Sequence, residues 1–296
     1  MFRNLNPQLL GITGRQSELI ELALSFGFRG IDIDLDDFQQ TVKTYGIAHA
    51  RRLIDSARLK LGAFRLPLVW DDEDEKYKSG LAPLEEALKL AEELGLSRAI
   101  NTIAPANDLR PYHENFEFHR RRLQEVGELL ARYRMKLGLE FCASAELRKD
   151  RAFQFIHTFD ALATLVGMIR AANVGAVIDV FQLHAGGGSF DEARKLGCEK
   201  IVSVIVADAP ADKSPTDCDE TDRLLPVENG AIDLPAVLVG LAELGYEGPV
   251  TPSVSKSHAA AMKRDQIVRS AGERLTQAWN TAGISPSGKL SAVAKK

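Results

Sequence analysis

The strongest constraint on the fold is an alternation of short apolar segments with longer amphipathic segments that continues along the chain. We predict strands at residues 9–13, 30–35, 60–69, 98–104, 136–142, 174–183, 201–207 and 250–254. We predict helices at residues 18–26, 47–59, 84–94, 114–132, 153–172, 190–196, 234–244 and 259–281. About eight strand-then-helix units of this kind indicate parallel strands joined by crossover helices.

Two architectures satisfy such an alternation, a closed barrel and a doubly wound open sheet. The open sheet usually carries a glycine-rich phosphate turn after an early strand, and residues 11–15 (GITGR) do not complete one. We therefore predict a single-domain α/β fold, a (β/α)₈ TIM barrel, over residues 1–284. Residues 285–296, rich in Ser, Gly, Ala and Lys, are predicted to be a C-terminal tail that is frayed or packs loosely on the last helix.

The charge balance and the cysteines limit the classes of partner. A net charge of −4 with interspersed acids and bases argues against nucleic acid as a partner. The three cysteines have no metal-type spacing and are interpreted as reduced thiols. Neither a signal-peptide core nor an apolar stretch of the ~20 residues that a membrane span needs is found. We expect a cytoplasmic protein with no membrane partner, and a homo-oligomer is left open.

Polar side chains at the ends of the predicted strands are the candidates for chemistry, because the mouth of such a barrel is built there. These are Arg65, Asn101, Glu140, Asp179, Gln182, His184, Asp208 and, in the following loop, Arg223. Glu140 and Asp179 are lone acids in apolar strands, where a charge is costly unless it is paired or bound to a metal. For Glu140 and Asp179 two interpretations remain equally open: a structural ion pair with an arginine or lysine, or a role in a functional site.

Two long connections follow predicted strands, and both are expected at the same mouth. Residues 71–80 contain the acidic run DDEDE, and residues 210–222 are rich in aspartate. Each connection is interpreted either as a solvated loop or as a lid over the mouth.

Several segments in the C-terminal half resemble, in the right order, the xylose-isomerase-like barrels. They are 138–141 (GLEF), 173–184 (NVGAVIDVFQLH), 208–210 (DAP), 223–233 (RLLPVENGAID) and 245–250 (GYEGPV). This group includes sugar isomerases and epimerases, inosose dehydratases and apurinic-site endonucleases. The N-terminal half matches the group in organisation only.

The resemblance implies a divalent cation held by a glutamate of strand five, an acid of strand six, a histidine of strand seven and a glutamate of strand eight. Glu140 and Asp179 match the first two ligands, whereas Ile205 and Ser253 stand at the other two positions. The frequent histidine three residues after the acid is Gln182 here. The implied cofactor is manganese, magnesium or cobalt, and two carboxylates alone predict that it binds weakly or not at all.

Two functions follow as expectations. The first is a sugar isomerase-, epimerase- or dehydratase-type enzyme with Glu140 as the catalytic acid or base. In it Arg65, Asn101, Gln182, His184, Asp208, Arg223 and Ser253 bind a small sugar-like substrate, and Asp208 or Glu228 is a candidate replacement for a lost ligand. The second is a non-catalytic barrel that binds a sugar-like metabolite or a partner protein. An apurinic-site endonuclease is rejected, because six scattered histidines and an acidic surface suit neither a three-zinc site nor DNA.

Overall fold

A computed structural model describes residues 1–291 of the chain. The main sheet consists of parallel strands, and helical segments or loops connect consecutive strands except β3 and β4. The strands are β1 (Phe2–Leu5), β2 (Gly30–Ile31), β3 (Lys60–Leu61), β4 (Phe64–Arg65), β5 (Arg98–Thr102), β7 (Lys136–Glu140), β9 (Val174–Asp179), β10 (Ile201–Val206) and β11 (Pro249–Pro252).

The sheet closes on itself through its third barrel strand. β3 and β4 are separated only by Gly62 and Ala63, yet β3 pairs with β2 at one end of the strand order and β4 pairs with β5 at the other. The two short strands are therefore the halves of one interrupted barrel strand. Counted in this way, residues 1–291 form the predicted eight-position (β/α)₈ barrel, and that prediction is confirmed.

The interruption has a local cause in the side chain of Asp32. The backbone N–H of Ala63 donates to Oδ1 of Asp32 at 2.7 Å. Gly62 is needed beside it, because a Cβ there would lie 2.0 Å from the same oxygen.

Helices surround the barrel, and the longer ones bury one face each against it. They are α1 (Gln16–Ser25), α2 (Leu35–Tyr45), α3 (Ile47–Ala57), α4 (Asp74–Leu94), α5 (Tyr112–Arg132), α6 (Phe159–Met168), α7 (Val180–Ala185), α8 (Phe190–Ala193), α9 (Leu234–Glu243), α10 (Lys256–Ala260) and α11 (Arg264–Thr281). In α5 the buried positions Leu123, Val126 and Leu130 recur at helical spacing. Gly127 on the same face permits close approach to β9, since a Cβ there would lie 2.5 Å from Cγ2 of Val174.

Some predicted boundaries are wrong. The first strand is Phe2–Leu5 rather than 9–13, and residues 8–10 form a 3₁₀ turn. The predicted helix at 153–172 is Phe159–Met168, while β8 (Phe153–Gln154) pairs antiparallel with β6 (Ala106–Asn107). The predicted strand at 174–183 stops at Asp179, because that side chain accepts hydrogen bonds from the first N–H groups of α7.

The acidic segment at 71–80 is a helix start rather than a loop. α4 begins at Asp74, and Asp74 and Glu75 occupy its first turn. Carboxylates there stabilise the helix, because they lie near the positive end of the helix dipole. Its beginning is held by Arg122 of α5, which donates to the backbone oxygens of Trp70 and Asp72 and to the carboxylate of Asp74.

One hydrophobic core includes residues from Met1 to Ile284. Beyond it, Ile284 forms a backbone bridge with Leu290, which packs partly against the core. Residues 292–296 of the predicted tail lie outside the described residues, and the division at 284 stays a prediction. No helix within residues 1–291 is both long and apolar enough to cross a membrane.

Candidate active site

The carboxyl ends of β9 and β11 and the loop after β10 bring three polar side chains together inside the barrel mouth. Nη1 of Arg223 lies 2.7 Å from Oδ2 of Asp179 and 3.0 Å from Oγ of Ser253. Arg223 is 5% exposed, Asp179 2% and Ser253 1%. The Asp179 carboxylate is therefore paired with a cation, and the pair is almost fully removed from water.

The chain holds Asp179 in one orientation. It is the last residue of β9, and its Oδ1 accepts the backbone N–H groups of Phe181 at 2.9 Å and Gln182 at 3.3 Å. This N-cap leaves Oδ2 directed to Arg223. The guanidinium of Arg223 in turn lies over the ring of Phe181, 4.5 Å from its centroid.

Arg223 is also fixed from the loop side. Its backbone oxygen accepts the N–H of Ser255 at 2.9 Å, and Leu224 forms a two-way backbone bridge with Asp208. Glu220, whose side chain is 46% exposed, accepts from Nε and Nη2 of Arg223, both at 3.2 Å. Gln182 donates to Glu220 and accepts the backbone N–H of Ala143 at 2.7 Å, so one network links three loops of the mouth.

Glu140 ends β7 and is half-buried beside this network. Its Oε2 accepts the hydroxyl of Thr102 at 2.8 Å. Burial and the Asp179 carboxylate raise the pKa of Glu140 to about 8, against the smaller opposing effects of the Thr102 hydrogen bond and the Arg223 charge. A carboxyl with such a pKa exchanges protons near neutral pH, which is the property of a general acid or base.

Asp208 has a different environment from the other mouth residues. It is fully buried, and its Oδ2 accepts the backbone N–H groups of Asn229 and Gly230 at 2.8 and 2.6 Å. Its Oδ1 accepts those of Ala209 and Ile232 at 2.9 and 3.0 Å. These contacts hold the loop that follows Arg223 and leave little capacity for a ligand.

The remaining predicted residues lie apart from the network. Arg65 ends β4, is exposed, and makes no side-chain hydrogen bond within residues 1–291. Thr102 shares a strand face with Glu140, so Asn101, one residue earlier, points to the opposite face. His184 lies in α7 with its Nε2 buried and unpartnered among the described residues, and burial lowers its pKa.

Comparison with known proteins places the chain in a family. The family model described as "Xylose isomerase-like TIM barrel" matches residues 20–277. The chain belongs to this family. Among curated proteins, the inosose isomerase of Bacillus velezensis is 22% identical over 256 residues, which cover 86% of this chain and 88% of that protein.

Solved structures agree on the fold of this xylose isomerase-like barrel. A xylose isomerase domain protein from Alicyclobacillus acidocaldarius subsp. acidocaldarius has a TM-score of 0.84 at 26% identity, covering 95% of this chain and 98% of that one. The IOLI protein, described with a binding zinc atom, has a TM-score of 0.79 at 18% identity, covering 96% and 98%. A D-psicose 3-epimerase, described in the presence of D-fructose, has a TM-score of 0.74 at 13% identity, covering 96% and 100%. The curated proteins that this chain resembles are thus inosose isomerases, and a solved sugar epimerase shares its fold.

The donor set of this xylose isomerase-like barrel does not fit a resident divalent cation. No group of three or more His, Cys, Asp or Glu side chains within residues 1–291 is placed to hold a metal ion. Ile205, beside Asp179 in the strand register, and Ser253 stand at two positions where the family resemblance implies donors. The Oδ2 of Asp179 already faces a guanidinium.

Three members of the network were missed by the sequence analysis, namely Thr102, Phe181 and Glu220. Thr102 could be chosen over Asn101 only if the inward face of β5 were known, and the sequence does not show which face that is. Glu220 lies in an acidic loop where no spacing distinguishes it from Asp217, Asp219 or Asp222. Phe181 directly follows Asp179, yet its contact with Arg223 depends on the turn into α7.

Proposed function

We propose that this protein is an isomerase- or epimerase-type enzyme that moves a proton at a carbon next to a carbonyl in a small sugar- or polyol-type molecule. The observation that carries the proposal is Glu140, a half-buried carboxyl at the barrel mouth with a pKa raised to about 8. The family relationship to inosose isomerases and sugar epimerases supports the reaction class.

Glu140 carries both proton transfers in this proposal. As a carboxylate it takes the proton from the carbon next to the carbonyl, and the electron pair of the broken C–H bond forms an enediolate. As a carboxylic acid it then delivers the proton to the neighbouring carbon, while the hydroxyl proton on that carbon's oxygen passes to the oxygen of the former carbonyl, so the isomerisation needs no oxidant or reductant. Return of the proton by Glu140 to the same carbon restores the starting compound and is seen only as hydrogen exchange, so an epimerisation would take its second proton from solvent on the opposite face. Thr102 keeps Oε2 in place, and Oε1 is the oxygen proposed to face the substrate carbon.

Arg223, Ser253 and Gln182 are the groups proposed to bind substrate oxygens. The contacts of Glu220 with Nε and Nη2 of Arg223 are long, at 3.2 Å, and the Glu220 side chain is 46% exposed. A substrate hydroxyl or carbonyl can replace that carboxylate at low cost, because the carboxylate regains water when it leaves. Arg65, at the exposed rim, is proposed to reach the far end of the substrate.

Hydrogen exchange in deuterated water tests the proposal. Purified full-length protein is incubated in D₂O with inosose, D-fructose, D-psicose or D-tagatose, and loss of the proton signal next to the carbonyl is followed by NMR. We expect exchange with at least one compound, and a loss of at least about 100-fold in Glu140→Gln. Glu146→Gln, an exposed glutamate on the loop after the same strand, is the matched control and retains the rate.

The second candidate, a non-catalytic sugar-binding barrel, is favoured by the mutual satisfaction of Asp179, Arg223, Glu220 and Gln182 at the mouth. Isothermal titration with the same compounds separates the two. Binding without exchange in any compound supports the binding barrel and overturns the catalytic proposal. Exchange that persists in Glu140→Gln contradicts the role proposed for Glu140 and does not support the binding barrel.

A further inference from the structure

We infer that the guanidinium of Arg223 occupies the place of a divalent cation in this barrel, so that the site is built around a permanent organic cation. The role of this cation toward substrate oxygens rests on the proposed function. The exclusion of a metal ion from the position does not.

The positions around Nη1 of Arg223 support the inference. Asp179 and Ser253 both accept hydrogen bonds from this one nitrogen, at 2.7 and 3.0 Å. Ile205 lies beside Asp179 in the register of β9 and β10, and beside Thr251 in that of β10 and β11. Nη1 of Arg223 therefore bonds to Asp179 and Ser253, and the strand register places Ile205 next to Asp179. Of these three side chains only Asp179 is a strong metal ligand.

A metal ion and this guanidinium cannot share Asp179. Magnesium and similar hard cations bind carboxylate oxygens at about 2.1 Å and require a nearly complete shell of oxygen donors. Nη1 already lies against Oδ2, while Oδ1 accepts two backbone N–H groups of α7. A cation brought to Oδ2 would meet a second positive charge within a few ångströms in a dry site, where that repulsion is strong.

Arg223 is not free to move aside. Its guanidinium stacks on Phe181, its backbone oxygen accepts the N–H of Ser255, and the neighbouring Leu224 is bridged to Asp208. Withdrawal would leave Asp179 as an unpaired buried carboxylate, which is strongly unfavourable.

The remaining hydrogen-bonding capacity of Arg223 suits an oxygen-rich ligand. Its contacts with Asp179, Ser253 and Glu220 leave an N–H of Nη2 without a partner among residues 1–291. When a ligand displaces Glu220, Nε and a further N–H of Nη2 become available on the same edge. These donors can bind two adjacent substrate oxygens in the bidentate manner in which an arginine binds a carboxylate.

Manganese binding to the full chain without substrate tests the inference. Free Mn²⁺ is measured by electron paramagnetic resonance during titration of the wild type, Asp179→Asn and Glu140→Gln. We expect the three binding isotherms to coincide, since any weak sites elsewhere are shared by all three. Stoichiometric binding in the wild type that is lost in Asp179→Asn overturns the inference.

A gain-of-binding comparison adds a second measurement. Ile205→His with Ser253→Glu supplies the two missing donors but keeps Arg223, and the triple variant adds Arg223→Met. We expect the triple variant to bind Mn²⁺ at least about tenfold more tightly than the double variant, which corresponds to about 1.4 kcal/mol. Circular dichroism with and without Mn²⁺ verifies folding, and equal affinities in the two variants contradict the inference.

The exchange assay after treatment with a chelator separates this inference from the proposed function. Exchange that persists without metal supports both. Exchange that stops with chelator and returns with added Mn²⁺ overturns the inference and leaves the proposed function standing. No exchange, with coincident Mn²⁺ isotherms, overturns the proposed function and leaves the metal exclusion standing.

Discussion

Nη1 of Arg223 lies 2.7 Å from Oδ2 of Asp179, and neither side chain is more than 6% exposed. A buried ion pair is a weak source of net stability, because both charges lose their hydration when the protein folds. Removal of one partner is nevertheless costly, since the other charge then stays buried without compensation. Each charge of the pair is therefore tolerated in the interior only while its partner is present.

The first prediction concerns this dependence. We expect Arg223→Met to lower the free energy of unfolding by about 3–5 kcal/mol, because the Asp179 carboxylate loses its counter-charge. Asp179→Asn in the same chain should restore part of that loss, since the amide oxygen still caps α7 while the buried charge is gone. Urea denaturation of both single variants and the double variant gives the coupling energy. Strictly additive losses would show that the two residues do not act as a pair.

The second prediction concerns pH and Glu140. The pKa of this carboxyl rises from 4.5 to about 8 on folding, because burial and the Asp179 carboxylate disfavour its charge. The folded state therefore binds more protons than the unfolded state between these values, so this group makes stability fall as pH rises through that window. We expect Glu140→Gln to abolish this effect. Its free energy of unfolding should rise relative to that of the wild type by on the order of 2 kcal/mol from pH 5 to pH 9, about half of what the full shift implies, because Glu140 is only half-buried.

Urea denaturation at pH 5, 7 and 9 measures this difference, with Glu146→Gln as the control for loss of one negative charge. A constant offset between wild type and Glu140→Gln across this range would contradict the raised pKa. In the exchange assay the sign is opposite. If Glu140 is the base of the proposed function, the rate of proton removal should rise with pH up to about 8 and then level off, because only the carboxylate form takes up a proton.

Much of the architecture could be predicted from the sequence, because the alternation of apolar and amphipathic segments is regular from residue 30 onward. The first strand was misplaced because residues 9–13 (LLGIT) are more apolar than residues 2–5 (FRNL), which contain Arg3 and Asn4. Only pairing with β11 and β2 distinguishes them. The break at Gly62 also depends on a tertiary contact, the carboxylate of Asp32, which no local pattern reveals.

At the mouth, the sequence identified Glu140 and Asp179 because acids are rare in apolar strands. It could not distinguish a metal ligand from an ion-pair partner for Asp179. That distinction depends on the path of the chain after β10, which brings Arg223 back across the barrel. The bridge between Leu224 and Asp208 determines this path, and it joins residues that no periodicity connects.

The third prediction concerns Asp208 as the anchor of the loop that carries Arg223. We expect Asp208→Asn to destabilise the protein by about 2–4 kcal/mol, because the amide NH₂ would face the N–H groups of Asn229 and Gly230 in place of an acceptor. Amide hydrogen exchange at residues 229, 230 and 232 should accelerate as the loop loosens.

Asp233→Asn is the matched control for that substitution in the same loop. Asp233 caps α9 by accepting the N–H of Ala236 at 3.0 Å, and asparagine caps a helix about equally well. Its effect should stay within about 0.5 kcal/mol. Similar losses in both variants would mean that the loop is sensitive to charge rather than to the contacts of Asp208.

The fourth prediction compares two glycines. Gly175 lies in β9, and a Cβ there would approach the backbone oxygen of Lys200 to 2.2 Å, so neighbouring backbone has to shift. We expect Gly175→Ala to cost about 1–3 kcal/mol. Gly167 lies in α6, where an added Cβ would meet nothing within 4 Å, so Gly167→Ala should stabilise by about 0.5–1 kcal/mol through the unfolded chain. Thermal and urea unfolding of both variants measure the change in the free energy of unfolding. We expect opposite signs, because only the Cβ at position 175 meets neighbouring backbone. If Gly175→Ala left stability unchanged, the backbone around Lys200 would be packed less tightly against β9 than the distances indicate.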